Sequence, residues 1–485
     1  MTKYIFNPNY ILRHEGNKTY IMGIPNSSGG SKICVIHPIY AMMLTFFNNT
    51  EFDIAIDNIS SFFKISKDRI SSQMHVLLDN SDPVSDGSST FPQKTLVEYK
   101  DSMPLHHYSP MQFEYSSPDI KISRLKFPND IVCNVTMKCH TSCFYCYANR
   151  KGNMNKTMKI ELLERIIEEA KRIGVIRFEL IGGEVLLYEK WERLLEKLFE
   201  CGFHPWMSTK IPLTEEQILK IKSLNFNNSL QVSIDTLIKQ NMYEILNISD
   251  PYYESLIKSF ELMEKHKLNY SIHTVLNSKN DSINDIRSIV NFFKNKKYIS
   301  SWNIDPAKCS MYIGTPYSEY RITEEKLLDI RKYVSQLNSD NIFKFKIIGP
   351  TILRNINDIS IEEKKRIFNR RTLCSANLNA LYILPDGKVT ICEELYWHPR
   401  FILGDLNYQT IEEIWNSPKA QDLYFLKQSE IQKKSPCSTC EDYASCRDYR
   451  QVCWRDVVSA YGNDNWDFPD IFCPKAPYSH NTIFV

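Results

Sequence analysis

Helical and strand-like segments alternate between residues 157 and 348, and this pattern restricts the possible folds of the chain more than any other feature. Apolar residues repeat at helical spacing over residues 162–173, and a strand-like run at 176–181 follows directly. The pairing recurs as far as a strand near 300–305, and a further strand at 131–136 brings the number of strands to six. Because repeated β-α units build a parallel sheet, we predict an α/β fold with an incomplete (β/α)6 barrel, whose chemistry lies on loops at the carboxyl ends of the strands.

A group of three cysteines lies on the loop after the first of these strands. Cys139, Cys143 and Cys146 are separated by three and two residues, and the aromatic Tyr145 stands just before the last of them. A tetrahedral zinc site needs four ligands, whereas three thiolates on one tight loop suit a [4Fe–4S] cluster that leaves one iron open to a substrate. The triplet on its own is also compatible with a chance match or with part of a zinc site.

A second motif, Gly182-Gly183-Glu184, directly follows the second strand. The two glycines let the backbone approach a ligand closely, and the carboxylate can accept hydrogen bonds from an ammonium group. Together with the cysteine triplet, this motif resembles the radical S-adenosylmethionine (SAM) enzymes, in which Gly-Gly-Glu holds the SAM amino group. The resemblance implies that the open iron binds SAM, and that SAM yields a 5′-deoxyadenosyl radical that abstracts hydrogen. The family usually continues with proline where this chain has Val185.

The same resemblance implies which other residues contact SAM. In the family a serine at the end of the fourth strand touches the SAM ribose, and Ser233 occupies that place, with Asp235 two residues later. Ser208-Thr209-Lys210 ends the third strand, and its polar side chains fit an ordinary strand end as well as a binding site. We therefore expect the SAM site to include Tyr145, Gly182, Gly183, Glu184, Ser233 and Asp235.

Seven further cysteines lie between residues 374 and 473. A zinc ribbon would use two pairs of them and leave three unexplained. Their spacing, with Gly387 between the first two, resembles the SPASM extension of radical SAM peptide-modifying enzymes, which carries two auxiliary [4Fe–4S] clusters and would bring the total to three. The proximal auxiliary cluster would be one protein ligand short, so either one of its irons is open or a residue outside the motif fills the place. The resemblance implies a distal cluster held by Cys437, Cys440, Cys446 and Cys473, and a proximal cluster held by Cys374, Cys392 and Cys453.

The part of the chain before the barrel has its own pattern of elements. Strand-like runs at 19–22 and 32–36 precede helices that begin at Pro38 and after Ser66, which predicts a winged-helix-like module. Residues 81–125 are rich in Ser, Pro, Asp and His with little periodicity, which is typical of a linker. The expected organisation is a peptide recognition element at 1–80, a linker at 81–125, a radical SAM partial barrel at 126–348, a bridge at 349–372 and a SPASM domain at 373–485.

The composition excludes several classes of protein. With 43% hydrophobic and 24% charged residues the chain is typical of a globular enzyme, and a net charge of +2 gives no reason to expect nucleic acid or a membrane as a partner. The sequence has no signal segment or long apolar run, so we expect a cytoplasmic protein. Fourteen cysteines in a long cytoplasmic chain indicate metal or redox chemistry rather than disulfides.

These observations favour a peptide maturase. The N-terminal module resembles the elements that bind the leader of a ribosomally made precursor peptide as an added strand. The expected oxidoreductase reaction is a crosslink, either a thioether or a carbon–carbon bond, with an electron donor such as flavodoxin or ferredoxin. Alternatives are a peptide epimerase, in which Cys309 after the sixth strand would return the hydrogen, and a sulfatase-maturing enzyme. A zinc-ribbon binding protein without catalysis is the non-enzymatic alternative.

Overall fold

The chain forms two compact units, which meet in sequence between Lys126 and Phe127. The computed structural model describes residues 2–24, 32–224, 226, 230–370, 373–449 and 452–479. No helix among the described residues is both long enough and apolar enough to cross a membrane.

The N-terminal unit combines short antiparallel strands with helices. In chain order its elements are β1 (Lys3–Phe6), β2 (Tyr10–His14), β3 (Thr19–Gly23), β4 (Ile33–Ile36), α1 (Pro38–Leu44), β5 (Asn48–Glu51), α2 (Phe52–Phe63), α3 (Lys67–His75), β6 (Val84–Asp86), β7 (Ser89–Phe91) and β8 (Leu96–Glu98). Strands β2, β3 and β4 form one sheet, β5, β1 and β8 form a second, and β6 pairs with β7. Helix α1 starts at Pro38 as expected, and the His37 ring accepts a hydrogen bond from the Ile39 N–H, 3.1 Å away.

The segment at 81–125, which we expected to be a linker, belongs to this unit. It contributes β6, β7 and β8, and Phe91, Leu96 and Phe113 are buried in the same core as Tyr40 and Ile59. The prediction was wrong because a few apolar side chains, separated by polar turn residues, supply the core contacts of strands only three residues long. Such strands are too short to show a period in the sequence. The winged-helix-like character of the unit stays a prediction.

The second unit begins with strands that alternate with helices, as the sequence predicted. The helix that begins at Glu215 has a capping box at Thr214, whose hydroxyl accepts a hydrogen bond from the Gln217 N–H, 3.2 Å away. The elements are β9 (Asp130–Asn134), α4 (Ile160–Arg172), β10 (Arg177–Ile181), α5 (Trp191–Glu200), β11 (Ser208–Thr209), α6 (Glu215–Ser223), β12 (Leu230–Ser233), α7 (Lys239–Leu246), α8 (Asp250–Lys265), β13 (Tyr270–Leu276), α9 (Ile283–Phe293), β14 (Ile299–Pro306), α10 (Tyr317–Tyr320) and α11 (Glu324–Ser339).

These six strands do not form one continuous hydrogen-bonded sheet. Strands β9 and β10 pair in parallel, and β11 to β14 form a separate parallel ladder of four strands. The interruption lies next to Pro205, which has no N–H to donate. The N–H of Trp206 donates to the Glu179 carboxylate on β10, 2.6 Å away, so a side chain takes the place of backbone pairing. The extent of the barrel therefore stays a prediction.

The C-terminal part adds a strand to the first ladder. Its elements are α12 (Ile361–Arg370), β15 (Ala380–Ile383), β16 (Lys388–Thr390), β17 (Gly404–Asp405), α13 (Ile411–Trp415), α14 (Pro418–Tyr424), α15 (Tyr443–Tyr449) and α16 (Trp454–Tyr461). Strand β15 pairs in parallel with β9, so the sheet order is β10-β9-β15-β16-β17. One hydrophobic core includes Ile131 of β9, Leu381 of β15 and Trp415 of α13, and the barrel strands and the C-terminal part are therefore packed as one unit.

Candidate functional site

The loop after β9 brings the first three predicted cysteines together. The Thr141 hydroxyl oxygen lies 3.6 Å from the Cys139 sulfur and 3.4 Å from the Cys143 sulfur, and the Cys146 N–H donates to the Cys143 carbonyl over 3.1 Å. The end of α7 anchors the loop, because the Leu246 carbonyl accepts a hydrogen bond from the Ser142 N–H at 2.9 Å. Burial raises the pKa of the Cys143 thiol. Three thiols on one anchored loop fit a cluster that takes three protein ligands.

The two glycines after β10 pack directly on the backbone that leads into this loop. The Gly183 N–H donates to the Thr136 carbonyl over 2.7 Å. A Cβ atom on Gly182 would lie 2.7 Å from the same carbonyl oxygen, and one on Gly183 would overlap the Lys138 carbonyl and lie 2.6 Å from the Met137 oxygen. Only glycine fits at both positions, because real Cβ atoms do not approach backbone so closely.

Replacing Gly183 with alanine is expected to displace the cysteine loop, since the new methyl group would overlap backbone carbonyls rather than a flexible side chain. We expect a cost of about 1–3 kcal/mol in folding free energy and a loss of up to about four iron atoms per chain after anaerobic reconstitution. Iron analysis and thermal unfolding measure the two effects. Gly349→Ala is the matched control, because a Cβ there meets side-chain atoms of Val334 and Arg331 and none nearer than 3.4 Å. Unchanged iron content in Gly183→Ala would contradict the close packing.

The carboxylate of Glu184 is buried and faces the end of β11. It accepts hydrogen bonds from the Thr209 hydroxyl at 3.0 Å, the Lys210 N–H at 2.9 Å and the Leu186 N–H at 3.3 Å. Burial raises its pKa, and the hydrogen bonds from these donors act in the opposite direction. A carboxylate can accept about four hydrogen bonds, so capacity remains for the ammonium group of a ligand.

Lys210 joins the predicted SAM residues to one another. Its ammonium group donates to the Tyr145 hydroxyl at 2.6 Å and to Asp235 Oδ2 at 2.9 Å, and the Tyr145 hydroxyl donates to the same Asp235 oxygen at 2.6 Å. Burial is the largest single influence on the pKa of Lys210 and acts to lower it, but the charge and hydrogen bond of Asp235 and the neighbouring cysteines together outweigh burial and raise the pKa. Lys210 also interacts electrostatically with Cys143 and Cys139. The sequence did not decide whether Lys210 belongs to the binding site or to an ordinary strand end. Its position at the end of the third strand was the feature that could have indicated a role in the site.

Ser233 lies two residues before Asp235, on the face of β12 opposite the buried Val232. Its register partner on β13 is His273, whose ring nitrogen Nε2 lies 3.1 Å from Asp305 Oδ2 on β14. This hydrogen bond is the main cause that lowers the pKa of Asp305. The histidine and the aspartate were missed in the sequence, although both stand at alternate positions of predicted strands.

The cysteines of the C-terminal part interact in two groups. Cys374 interacts electrostatically with Cys392 and Cys453, whereas Cys473 interacts with Cys437, Cys440 and Cys446. Burial raises the pKa of Cys392 to about 12 and that of Cys437 to about 11. These groups match the two ligand sets that the resemblance implied, and the assignment of ligands stays a prediction. In the described part of the chain, no three His, Cys, Asp or Glu side chains are arranged around a single ion.

Cys309, the candidate hydrogen donor, lies on the loop after β14. Its carbonyl accepts a hydrogen bond from the Arg455 guanidinium at 2.5 Å, and Arg455 also binds Glu394 at 2.8 Å. Burial raises the pKa of the Cys309 thiol. The thiol therefore lies at the contact between a barrel loop and α16, and its role stays a prediction.

Comparison with known families agrees with this geometry. The model of the radical SAM superfamily matches residues 133–293, and that of the SPASM iron–sulfur cluster-binding domain matches residues 374–441. The chain contains a radical SAM domain followed by a SPASM domain. The first implies SAM and a [4Fe–4S] cluster, the second implies auxiliary iron–sulfur clusters, and the radical SAM match supports an enzymatic role.

Several curated relatives resemble the chain over part of its length. It is 27% identical over 160 residues to an uncharacterized protein of Methanocaldococcus jannaschii, with 31% of this chain and 54% of that protein covered. It is 25% identical over 281 residues to GTP 3′,8-cyclase of Clostridium perfringens, with 54% of this chain and 79% of that protein covered. The chain spans about half the length of the curated relatives it matches first.

Solved structures resemble the chain over nearly its full length. Streptococcus suis SuiB bound to S-adenosylmethionine has a TM-score of 0.62 and 16% identity, and the match covers 97% of this chain and 99% of SuiB. SuiB bound to its precursor peptide SuiA has a TM-score of 0.61 and 16% identity, with 98% and 100% covered. At this identity the likeness establishes the fold, which is a radical SAM fold with a C-terminal SPASM domain.

Proposed function

We propose that the chain is a radical SAM peptide maturase that installs a crosslink, a thioether or a carbon–carbon bond, in a ribosomally made precursor peptide. The observation that carries the proposal is the likeness to SuiB across 98% of the chain in a complex with a precursor peptide. A likeness limited to the radical SAM domain would leave the N-terminal unit and the SPASM domain without a role. Both are accounted for if the substrate is a peptide bound in part through its leader.

The residues at the strand ends fit the demands of SAM binding. Cys139, Cys143 and Cys146 would hold the cluster, and the Glu184 carboxylate would accept hydrogen bonds from the SAM amino group. The close approach of Gly182 and Gly183 keeps that carboxylate next to the cysteine loop. When bound, SAM and the cluster supply the 5′-deoxyadenosyl radical that removes a hydrogen atom from the substrate. We expect Ser233 and Asp235 to complete the site.

Formation of a crosslink removes a second hydrogen from the peptide as a proton and an electron. Two auxiliary [4Fe–4S] clusters in the SPASM domain would accept that electron, one held by the group around Cys374 and the other by the group around Cys437. A flavodoxin or ferredoxin would deliver the electron that starts each turnover. Tyr147 interacts electrostatically with both Cys146 and Cys392, which supports a position of the proximal auxiliary cluster on the same side of the unit as the first cluster.

A second candidate follows from the sequence relatives, several of which are named GTP 3′,8-cyclase. The alignment with the Clostridium perfringens enzyme covers 54% of this chain, so nearly half of the chain has no counterpart in it. A peptide epimerase with Cys309 as hydrogen donor and a sulfatase-maturing activity are further alternatives, and each changes the substrate in a different way.

The test uses the full chain, reconstituted anaerobically with iron and sulfide, together with SAM, a reductant and a synthetic precursor peptide. We expect 5′-deoxyadenosine and a peptide that is lighter by two hydrogen atoms. A peptide whose mass is unchanged in ordinary water, and that incorporates deuterium at a backbone carbon in heavy water, would assign an epimerase. Conversion of a peptide cysteine or serine to an aldehyde would assign a sulfatase-maturing enzyme, and consumption of GTP would assign a cyclase.

Replacing Glu184 with glutamine is expected to weaken SAM binding by about 1.5–3 kcal/mol, which is roughly a 10- to 150-fold loss of affinity. The reason is that an amide removes the negative charge opposite the SAM ammonium while it keeps the shape of the side chain. Equilibrium binding of SAM to the reconstituted chain measures the effect. Glu179→Gln is the matched control, because that carboxylate on β10 is occupied by the Trp206 N–H. If both variants bound SAM with equal affinity, Glu184 would not be a SAM-binding residue.

A further inference from the structure

The group of Cys374, Cys392 and Cys453 supplies three thiolates, whereas a [4Fe–4S] cluster has four irons to ligate. Cys453 is the N-cap residue of α16, and Asp456 is the third residue of that helix. The spacing Cys-x2-Asp repeats the Cys-x2-Cys spacing of Cys143 with Cys146 and of Cys437 with Cys440 in this chain. An aspartate therefore stands where each of the other two sets has a second cysteine.

The side chains of Cys453 and Asp456 are in contact. The Asp456 N–H donates to the Cys453 sulfur, and the Cys453 thiol donates to the Asp456 carboxylate. The Arg455 guanidinium binds Asp456 Oδ1 at 2.7 Å, which orients the carboxylate, and the Asp456 side chain is only 20% exposed. The carboxylate is therefore held beside a cysteine of the proximal group, at the N-terminus of the helix.

We propose that Asp456 is the fourth protein ligand of the proximal auxiliary cluster, a deduction that rests on the proposed SPASM clusters and deepens the proposed function. Iron accepts carboxylate oxygen as a ligand alongside softer donors. Iron binding would release the thiol proton of Cys453 to solvent and form an iron–sulfur bond in its place. The Asp456 carboxylate, no longer hydrogen-bonded to that proton, would then be available as a ligand to iron.

Glu394 and Cys309 are among the neighbours that could compete for the same role. Glu394 is also held by Arg455, at 2.8 Å, but it contacts the Cys392 sulfur through its backbone N–H and not through its carboxylate. Cys309 reaches Arg455 through its carbonyl, and its thiol interacts electrostatically with Arg455 and Glu394. Of these three candidates, Asp456 is the one whose carboxylate accepts a hydrogen bond from a cysteine thiol of the proximal group.

The experiment uses the full chain, reconstituted anaerobically with ⁵⁷Fe, in a background with Cys139, Cys143 and Cys146 replaced by alanine so that only the auxiliary clusters remain. Mössbauer and EPR spectra are recorded for the starting protein, in which Asp456 is intact, and for its Asp456→Cys, Asp456→Asn and Glu394→Gln variants. The iron content of each protein is measured as well. Asp456→Asn keeps the size and shape of the side chain while it removes the negative charge. Glu394→Gln removes the other acidic partner of Arg455 and serves as the matched control.

We expect the Asp456 protein to show an iron subsite distinct from all-thiolate sites. Asp456→Cys should convert it to an all-thiolate spectrum with iron content unchanged. Asp456→Asn should lose that subsite or let added thiol bind there, and Glu394→Gln should match the starting protein. The proposal fails if Asp456→Cys and Asp456→Asn leave the spectrum unchanged, if both lose the cluster, or if Glu394→Gln alone changes the subsite. Absence of auxiliary iron in the Asp456 protein would instead overturn the proposed SPASM clusters.

Discussion

Replacing Cys139, Cys143 and Cys146 together with alanine is expected to remove about four iron atoms per chain and to abolish reductive cleavage of SAM. The three thiols are held on one loop, and without them no protein ligand remains for the cluster that donates the electron. Iron analysis of the anaerobically reconstituted chain and chromatographic detection of 5′-deoxyadenosine measure the two effects. The auxiliary irons should stay, since their cysteines lie in a separate part of the unit.

Cys201→Ala is the matched control for this experiment, because Cys201 is a half-buried cysteine at the end of α5, outside every predicted ligand set. It should keep its iron and its activity. Continued SAM cleavage in the triple variant would refute the assignment of the loop. A reconstituted chain that held zinc and no iron would support the zinc-ribbon alternative.

Removal of the whole N-terminal unit, with the chain restarted at Phe127, is expected to weaken processing of the precursor peptide severely. Uncoupled cleavage of SAM should continue, because the cysteine loop, Glu184 and Lys210 all belong to the second unit. The physical reason is that a leader bound as an added strand gains its affinity from main-chain hydrogen bonds that only the deleted unit can supply. Peptide mass spectrometry and 5′-deoxyadenosine release, measured on the same samples, separate the two outcomes.

The position of the cut decides whether this experiment is informative. A cut at residue 80 would leave Phe91, Leu96 and Phe113 without the helices they pack against, and the exposed apolar surface would invite aggregation. A leaderless core peptide is the control substrate, because it should be processed equally slowly by both chains. If the truncated chain modified the full precursor as fast as the intact chain does, the unit would have no part in substrate recognition.

Much of the second unit could be predicted because its signals are local. Helix α4 shows its apolar face in the sequence, and the capping box at Thr214 sets the start of α6 within a few residues. The need for glycine in the Gly-Gly-Glu motif was also visible in the sequence, although the close approach that Gly183 makes in the structure is to the Lys138 carbonyl and the role of the motif in SAM binding stays a prediction. In each case a short stretch of sequence carries the physical cause.

Features that depend on distant parts of the chain could not be predicted. Lys210 reads as a polar residue at a strand end, and its role becomes visible only when folding brings Tyr145 and Asp235 to its ammonium group. The proposed role of Asp456 as a ligand could not be predicted either, because it depends on folding that brings Cys453 near Cys374. The short strands at 84–98 were missed because three apolar positions are too few to form a pattern.

Strand β15 lies between β9 and β16, so the cysteines on either side of these strands are tied together by backbone. The loop with Cys139 follows β9, whereas Cys374 precedes β15 and Cys392 follows β16. Central strands of a sheet open only in the rarest, most costly fluctuations. If the proposed clusters are bound by these cysteines and the substrate is a peptide, we expect the loops around the site to shift and admit a bulky chain while the sheet keeps the distance between the two clusters constant. The rate of electron transfer between them would then not depend on which peptide is bound.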